Sequence, residues 1–344
     1  MLSSFLVNLV LGVGVGFIFF SVNWVFIWIV IECITLCLLL LIRSGSSNNR
    51  NLEAVSKYFL IQAIASFLLI FGVVFRLYWE NNISLIGAYN YVSYLLILFG
   101  LLIKLGSFPN PYWFVDVVNG VEYSRLVYIL VVSKIGPLYL LFSLLNNNVF
   151  FLTGVIGVVT AMLASMLGVN QSNFRKIISF SSVANLGWFV LCIPVMDGWL
   201  LLFCFIGYSL TVVPALWMAS VFNFSSLGKS NRMLFSLSEK IILVVCLLSL
   251  GGLPPFVGFF VKWAFFQSLI NSGLYFCSFL LILSSLLSLF FYLYSSFSVF
   301  SLSAVGLKGH NIIVSSSNSG VVAYLTSGAL VLFSLVFVFL GLIW

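Results

Sequence analysis

This chain of 344 residues is short of charge: Asp, Glu, Lys and Arg together make up 6%, where a soluble domain carries about a quarter. It has a single histidine, His310, in a polar loop, and its six cysteines (33, 37, 192, 204, 246 and 277) form no CxxC. Each scarcity excludes something. So few polar groups cannot cover a globular surface. Haem or copper held between helices would want paired intramembrane histidines, which are not there. The cysteines all lie in apolar runs and read as small buried side chains, although Cys33 and Cys37 share a helix face at i, i+4. The 14 basic residues outnumber the 7 acidic ones but are scattered among short loops. They build no basic patch, so no nucleic-acid partner is expected. No basic segment precedes the first apolar run and a second run follows almost at once, so Met1 is expected to begin the mature chain without a cleavable signal.

What the chain does have is hydrophobic length. It is 63% hydrophobic, with 37 phenylalanines, and apolar stretches recur from Leu2 to Ile343. Each is long enough to cross a hydrocarbon core of about 30 Å as a helix. The runs are continuously apolar and do not alternate with period two, which argues against a β-barrel. The fold class is therefore an all-α polytopic membrane protein, one membrane domain over 1–344. Helices are expected at 2–20, 22–42, 55–78, 84–104 continuing through 109–119, 123–145, 149–169, 175–194, 197–222, 238–256 continuing to 271, 274–301, and 321–343. The two interruptions are Gly106-Ser107-Phe108-Pro109-Asn110-Pro111 and Gly251-Gly252-Leu253-Pro254-Pro255. Proline removes a backbone donor and clashes with the preceding turn, so neither segment stays one regular helix.

Loop charge decides whether a broken segment crosses once or twice. Counted once each, the spans number about eleven. The loops on the N-terminal side then hold Arg43, Arg50, Lys57, Arg125, Arg175, Lys176, Lys229, Arg232, Lys240 and Lys308, and the opposite side holds Arg76 alone among basic residues. That is a strong positive-inside bias, and counting either break twice destroys it. The N-terminus is thus expected on the cytoplasmic side or, in an organelle, the matrix side. Five spans (2–145) precede five more (149–301), and an odd number per repeat gives the inverted topology common in secondary transporters, where broken helices place the site near the midplane. The final span, 321–343, lies outside the pair. The polar segments Arg43–Glu53, Asn223–Glu239 and Ser301–Gly320 read as loops.

Four charges sit inside apolar runs: Glu32, Lys104, Lys134 and Lys262. An ionisable group at that depth costs about 2.5–3.5 kcal/mol on insertion scales, so it is expected to pair or to line an aqueous path. Lys134 lies about eleven residues from each end of its run, too far to reach water fully by snorkelling, and Pro137 follows to loosen the backbone. A lysine so desolvated is suited to exchanging protons. Lys104 immediately precedes the first break; either it snorkels from a helix end or the break lies within the membrane and Lys104 with it. Lys262 follows the second break beside Trp263, where interfacial anchoring competes with a functional role. Glu32 is expected to pair with one of the three lysines, because a lone carboxylate in lipid would be neutral or paired. Asp116 is left open between loop and site, and Glu122 reads as a loop charge. Such groups linked by water have the physical form of a proton relay.

Several strings resemble one known family. Asn23-Trp24 with Trp28-Ile-Val-Ile-Glu32, Lys104-Leu-Gly followed by Pro109 and Trp113, and Ser133-Lys134-Ile-Gly-Pro137 are three of them. Phe174-Arg-Lys-Ile followed by Ser181-Ser-Val-Ala-Asn-Leu-Gly-Trp188, and Leu250-Gly-Gly-Leu-Pro-Pro-Phe-Val-Gly-Phe-Phe-Val-Lys-Trp263, complete the set. In order and spacing from 23 to 263 they resemble the NADH-ubiquinone oxidoreductase chain 2 family, antiporter-like membrane subunits of respiratory complex I. The span count resembles the shortened animal mitochondrial form.

The resemblance implies a proton-translocating subunit of the mitochondrial inner membrane. Glu32 and Lys104 would be the coupled pair of the first half-channel, Lys134 the central lysine, and Lys262 the lysine of the second half. It implies that NADH, FMN, iron–sulfur clusters and ubiquinone belong to other subunits, and that the partners are other membrane-arm subunits and membrane lipids. The N-terminus would face the matrix and the C-terminus the intermembrane space. The chain departs from the family pattern at Asn185 and Pro111, both in place of usual histidines, and at Asp116, where glutamate is common. A stand-alone cation/proton antiporter of the same fold is the alternative.

Overall fold

The computed structural model describes residues 2–45, 48–85, 87, 89–144, 150–222, 237–254 and 256–304. Inside a bilayer no water satisfies backbone N–H and C=O groups, so a spanning segment must bond to itself, and these apolar runs are accordingly helical. The helices are α1 (Leu2–Phe20), α2 (Trp24–Arg43), α3 (Asn49–Glu80), α4 (Tyr91–Leu105), α5 (Tyr112–Gly120) and α6 (Tyr123–Val127). A π-helical segment (Tyr128–Val132) leads into α7 (Ser133–Leu144). There follow α8 (Phe150–Val169), α9 (Phe174–Cys192), α10 (Gly198–Phe222), α11 (Leu237–Gly251), α12 (Val257–Asn271) and α13 (Tyr275–Ala304). Among the described residues, extended pairing is limited to a single bridge between Asn23 and Ser84.

Six of these segments are long and apolar enough to cross a membrane unaided, and Leu6–Phe20, Tyr91–Leu105 and Lys240–Gly251 are shorter apolar helices. Both expected breaks are present, between α4 and α5 and between α11 and α12. The expected span 321–343 lies outside the described residues.

Two helices differ from expectation. The third starts earlier and ends later than 55–78, and at 32 residues it is about 48 Å long, more than the hydrocarbon core requires. The fourth starts at Tyr91 and not at 84. The late end of the third helix and the late start of the fourth trace to contacts at Asn81, Ser84 and Tyr89. Asn81 caps α3 in the left-handed conformation (φ 49), which asparagine tolerates, and turns the chain out of the helix. Arg76 then pins the loop. It is fully buried, pairs with Glu80 at 2.9 Å, lies 3.7 Å above the Tyr89 ring and bonds to the Ser84 carbonyl. Trp24 Nε1 donates to Tyr89 Oη at 2.9 Å, tying the loop to the start of α2.

The chain divides into two compact units, Met1–Thr160 with Phe189–Pro194, and Ala161–Trp188 with Val195–Trp344. In the first, α3 packs against α2, α4 and α5, and α7 against α1, α2 and α4. Small residues let α3 and α4 approach closely: a Cβ on Gly100 would lie 3.0 Å from the Ala65 carbonyl, and one on Gly72 would lie 2.8 Å from Ile97. Close backbone approach of this kind supplies the packing that drives helix association in lipid. In the second unit α11 packs on α10, α12 and α13.

Candidate functional site

In the first unit the site is built at the break after α4. Gly106 takes φ +77, which ends the helix at little cost, and its N–H donates to the Ile103 carbonyl. The Ser107 N–H and hydroxyl both donate to the Leu102 carbonyl, at 3.1 and 2.9 Å. Lys104 therefore stands in the last turn of a helix that stops inside the unit, where the negative end of the helix dipole favours a cation. Its side chain is 1% exposed, so it does not snorkel. Its Nζ instead donates to Glu32 Oε1 at 3.2 Å, which answers which lysine Glu32 pairs with. Gln62 on α3 donates to the Lys104 backbone carbonyl at 3.3 Å, satisfying one of the carbonyls that the break leaves without an intrahelical partner. Tyr58, buried one turn away on the same helix, faces Glu32 and packs its ring 6.1 Å from that of Trp113.

Lys134 is equally buried, at 1% exposure. Its Nζ lies 5.0 Å from the centroid of the Phe114 ring, a cation–π distance. Phe114 in turn presses on the break, because a Cβ on Gly106 would come within 2.9 Å of it. The backbone around Lys134 is irregular on both sides. The π-helical segment precedes it, and Pro137 inside α7 offers no N–H to the Ser133 carbonyl. A small cavity touches both lysines' surroundings. It is lined by Thr35, Tyr58, Gln62, Lys104, Ser133 and Pro137 among others, and its volume is about 20 Å³. That is room for about one water with several polar partners.

Asp116 is not part of this buried group. It pairs with Lys57 at 3.2 Å, Lys57 also pairs with Glu53 at 2.8 Å, and all three are exposed. Glu122 stands at the N-cap of α6, as its loop position implied.

In the second unit the break after α11 repeats the logic. Gly252 takes φ +80 and its N–H donates to the Ser249 carbonyl at 3.1 Å. Lys262 on α12 reaches back to donate to the Gly251 carbonyl at 2.8 Å, a cation on the C-terminal carbonyls of a helix. Trp263 beside it is 53% exposed, so lysine and tryptophan point to different surroundings and do not act as one interfacial anchor. Gly258 has no alternative: a Cβ there would lie 1.8 Å from the Ser249 carbonyl. Asn185 is partly buried on α9, one turn from Ser181 and Ser182. All six cysteines are free, and among the described residues no cluster of three His, Cys, Asp or Glu side chains gathers to hold a metal.

Residues 21–288 match the family described as NADH:quinone oxidoreductase/Mrp antiporter, transmembrane. The chain belongs to that family. NADH-ubiquinone oxidoreductase chain 2 of Anopheles gambiae is 32% identical over 345 residues, 97% of each chain. In fold, the chain is similar to a subunit in the structure of respiratory complex I from Thermus thermophilus with bound Aureothin. The TM-score is 0.77 at 19% identity, over 89% of this chain and 77% of that one. It is similar also to a chain of the Mrp complex from Dietzia sp. DQ12-45-1b, with a TM-score of 0.77 at 15% identity, over 96% of this chain and 76% of that one.

Their place as charges inside apolar runs pointed to Glu32, Lys104, Lys134 and Lys262, but not to the groups that hold them. Gln62, Tyr58 and the π-helical segment were missed. The signals available for the first two were an amide and a phenol in the apolar middle of α3. The Arg76–Glu80 pair was missed as well, although its i, i+4 spacing is a pairing signal.

Proposed function

We propose that this chain is a proton-translocating membrane-arm subunit of an NADH:ubiquinone oxidoreductase, relaying protons coupled to electron transfer in other subunits. The observation that carries the reading is the Lys104–Glu32 pair, in which a buried lysine at a helix break meets a part-exposed carboxylate and lines a water-sized cavity that touches the backbone beside Lys134. Glu32 holds the Lys104 ammonium. A proton reaching Glu32 removes that counter-charge, and Lys104 then releases its own proton to water in the cavity. Ser133, Thr35 and Gln62 orient that water, and the irregular backbone at 128–137 leads toward Lys134, whose cationic form the Phe114 ring stabilises. Lys262 at the second break serves as the lysine of the other half.

Glu32 keeps 29% of its side chain exposed, more than a carboxylate would show to hydrocarbon, which supports a polar neighbouring subunit over it. NADH, FMN, iron–sulfur clusters and ubiquinone belong to other subunits in this reading, and the chain performs no redox step of its own. It lies in the mitochondrial inner membrane among lipids and other arm subunits, with the N-terminus on the matrix side and the C-terminus on the intermembrane-space side. The distribution of loop cations supports that orientation.

The fold-level likeness to an Mrp complex favours a second reading, a stand-alone cation/proton antiporter. Purification of the native protein separates the two: co-migration with a large NADH-oxidising complex supports the first, and a free transporter the second. The relay itself is tested by Lys134→Ala and Glu32→Gln in the assembled enzyme. Both should lower proton pumping and coupled turnover, and unchanged pumping with normal assembly overturns the assignment.

A further inference from the structure

Glu32 and Lys104 are brought together from helices that are held to each other mainly through third parties: α2 packs on α1, α3 and α7, and α4 on α3 and α7. Between helices in lipid there is no hydrophobic drive, so polar ties have more to settle. One set of ties lies where both helices begin. The Tyr89 hydroxyl, next to the Asn90 cap of α4, accepts from Trp24 Nε1 at 2.9 Å and donates to the Leu85 carbonyl at 2.6 Å. Trp24 is the first residue of α2 and is fully buried. Its N–H donates to the Ile83 carbonyl at 3.1 Å, and the Leu85 N–H donates to the Val22 carbonyl at 2.7 Å, on either side of the Asn23–Ser84 bridge. At the end of α3, Glu80 accepts from Arg76 Nε with one carboxylate oxygen and from the Asn90 N–H with the other.

A link that merely returned the chain would need no buried cation, because a guanidinium leaves water only at a cost. Here the link is shaped around one: Gly87 takes φ +136, and a Cβ there would lie 3.1 Å from Arg76 Nη2. The result joins the start of α2 to the start of α4. Glu32 lies about two turns along the first helix and Lys104 in the last turn of the second. Their contact is 3.2 Å, and a slip of one residue, about 1.5 Å along a helix axis, takes it out of hydrogen-bond range.

We propose that the link between α3 and α4 is a strap that sets the register of α2 against α4, with Tyr89 as the positioning residue that keeps Glu32 in reach of Lys104. This rests on Glu32 and Lys104 acting as a proton-transfer pair.

The test is Tyr89→Phe in the assembled enzyme, in sealed vesicles, with protons translocated followed per NADH oxidised. Phenylalanine keeps the ring beneath Arg76 and removes only the hydroxyl that joins Trp24 to Leu85. Translocation should fall about fivefold, a fraction of the ~100-fold that misplacing a reacting group by about 1 Å can cost. The amount of assembled complex, and NADH oxidation by a hydrophilic artificial acceptor, should stay normal. Unchanged translocation overturns the proposal. A second tie then shows whether the loss is one of position. Opposed residues of an antiparallel bridge stand about 4.5–5.5 Å apart at Cα, within disulfide reach, so Asn23→Cys with Ser84→Cys can join the same two segments in the Tyr89→Phe background. Oxidation should restore translocation, and a thiol reductant should remove the rescue. A formed cross-link that restores nothing also overturns the proposal. If Tyr89→Phe does not assemble, Trp24→Phe removes the same bond from the other side and is judged by the same outcomes. Lys104→Ala separates the layers. Silence in both variants overturns the role of the pair along with the strap, whereas impaired pumping in Lys104→Ala with unchanged pumping in Tyr89→Phe overturns the strap alone.

Discussion

Glu32 and Lys104 are 72 positions apart in sequence, and each is conspicuous alone because a charge in an apolar run is costly. Their pairing is a tertiary fact, set by where α4 stops and which face of α2 it meets, so the sequence showed the members and not the bond. Gln62 marks the limit more sharply. An amide in a long helix has no signature of its own, and its value comes from donating to the Lys104 carbonyl. Replacing it by leucine leaves that buried carbonyl without its donor, at a cost of about 1–3 kcal/mol, and loosens the turn that presents Lys104 to Glu32. Gln62→Leu should therefore slow NADH:ubiquinone turnover in the assembled enzyme. Oxidation of NADH by a hydrophilic artificial acceptor, which does not need the membrane arm, should stay at the wild-type rate. Equal rates in both assays for variant and wild type would show that Gln62 only fills space.

The two helix breaks were readable because glycine and proline act locally: each has a fixed backbone consequence wherever it stands. The π-helical segment Tyr128–Val132 was not. Its residues, Tyr-Ile-Leu-Val-Val, are unremarkable helix or strand formers, and none of them marks a change of helical register. The end of α3 falls between these cases. Two asparagines at 81 and 82 signal a turn, yet a sequence reading that resumes the helix at 84 overlooks how Arg76 and Glu80 hold the chain out to Tyr91. In α7, Pro137 withholds the N–H that the Ser133 carbonyl would take in a regular helix, and both residues line the cavity. Pro137→Ala restores that donor in the helix beside Lys134. If the irregular backbone is what brings water to Lys134, the variant should assemble normally, and with greater thermal stability, yet pump fewer protons per NADH. Greater stability with unimpaired pumping would mean the missing backbone hydrogen bond is dispensable.

Each of the two compact units contains a broken helix whose interrupted end is met by a lysine, Lys104 in one and Lys262 in the other, which supports the duplication proposed from hydropathy and the two breaks. Membrane orientation rests on a different property, the sidedness of the basic residues. The structure strengthens that argument on one face. Arg76, the lone basic residue assigned to the intermembrane-space side, is fully buried against Glu80 and Tyr89 and presents no free charge there. Loop cations such as Arg50 and Lys57 lie in the first turns of α3, at the opposite end of that helix. The long helix α3 thus offers a ruler with one marker at each end. Asn48 caps its start and Asn90 caps the start of α4 just beyond its end, and neither side chain makes a capping bond, so either tolerates cysteine. The six native cysteines lie within helices, which keeps background labelling low. In sealed mitoplasts an impermeant maleimide should label Asn90→Cys and leave Asn48→Cys untouched, and inside-out membrane vesicles should reverse the pattern. Labelling of Asn48→Cys in mitoplasts would invert the proposed topology, and with it the direction in which protons entering at Glu32 would have to travel.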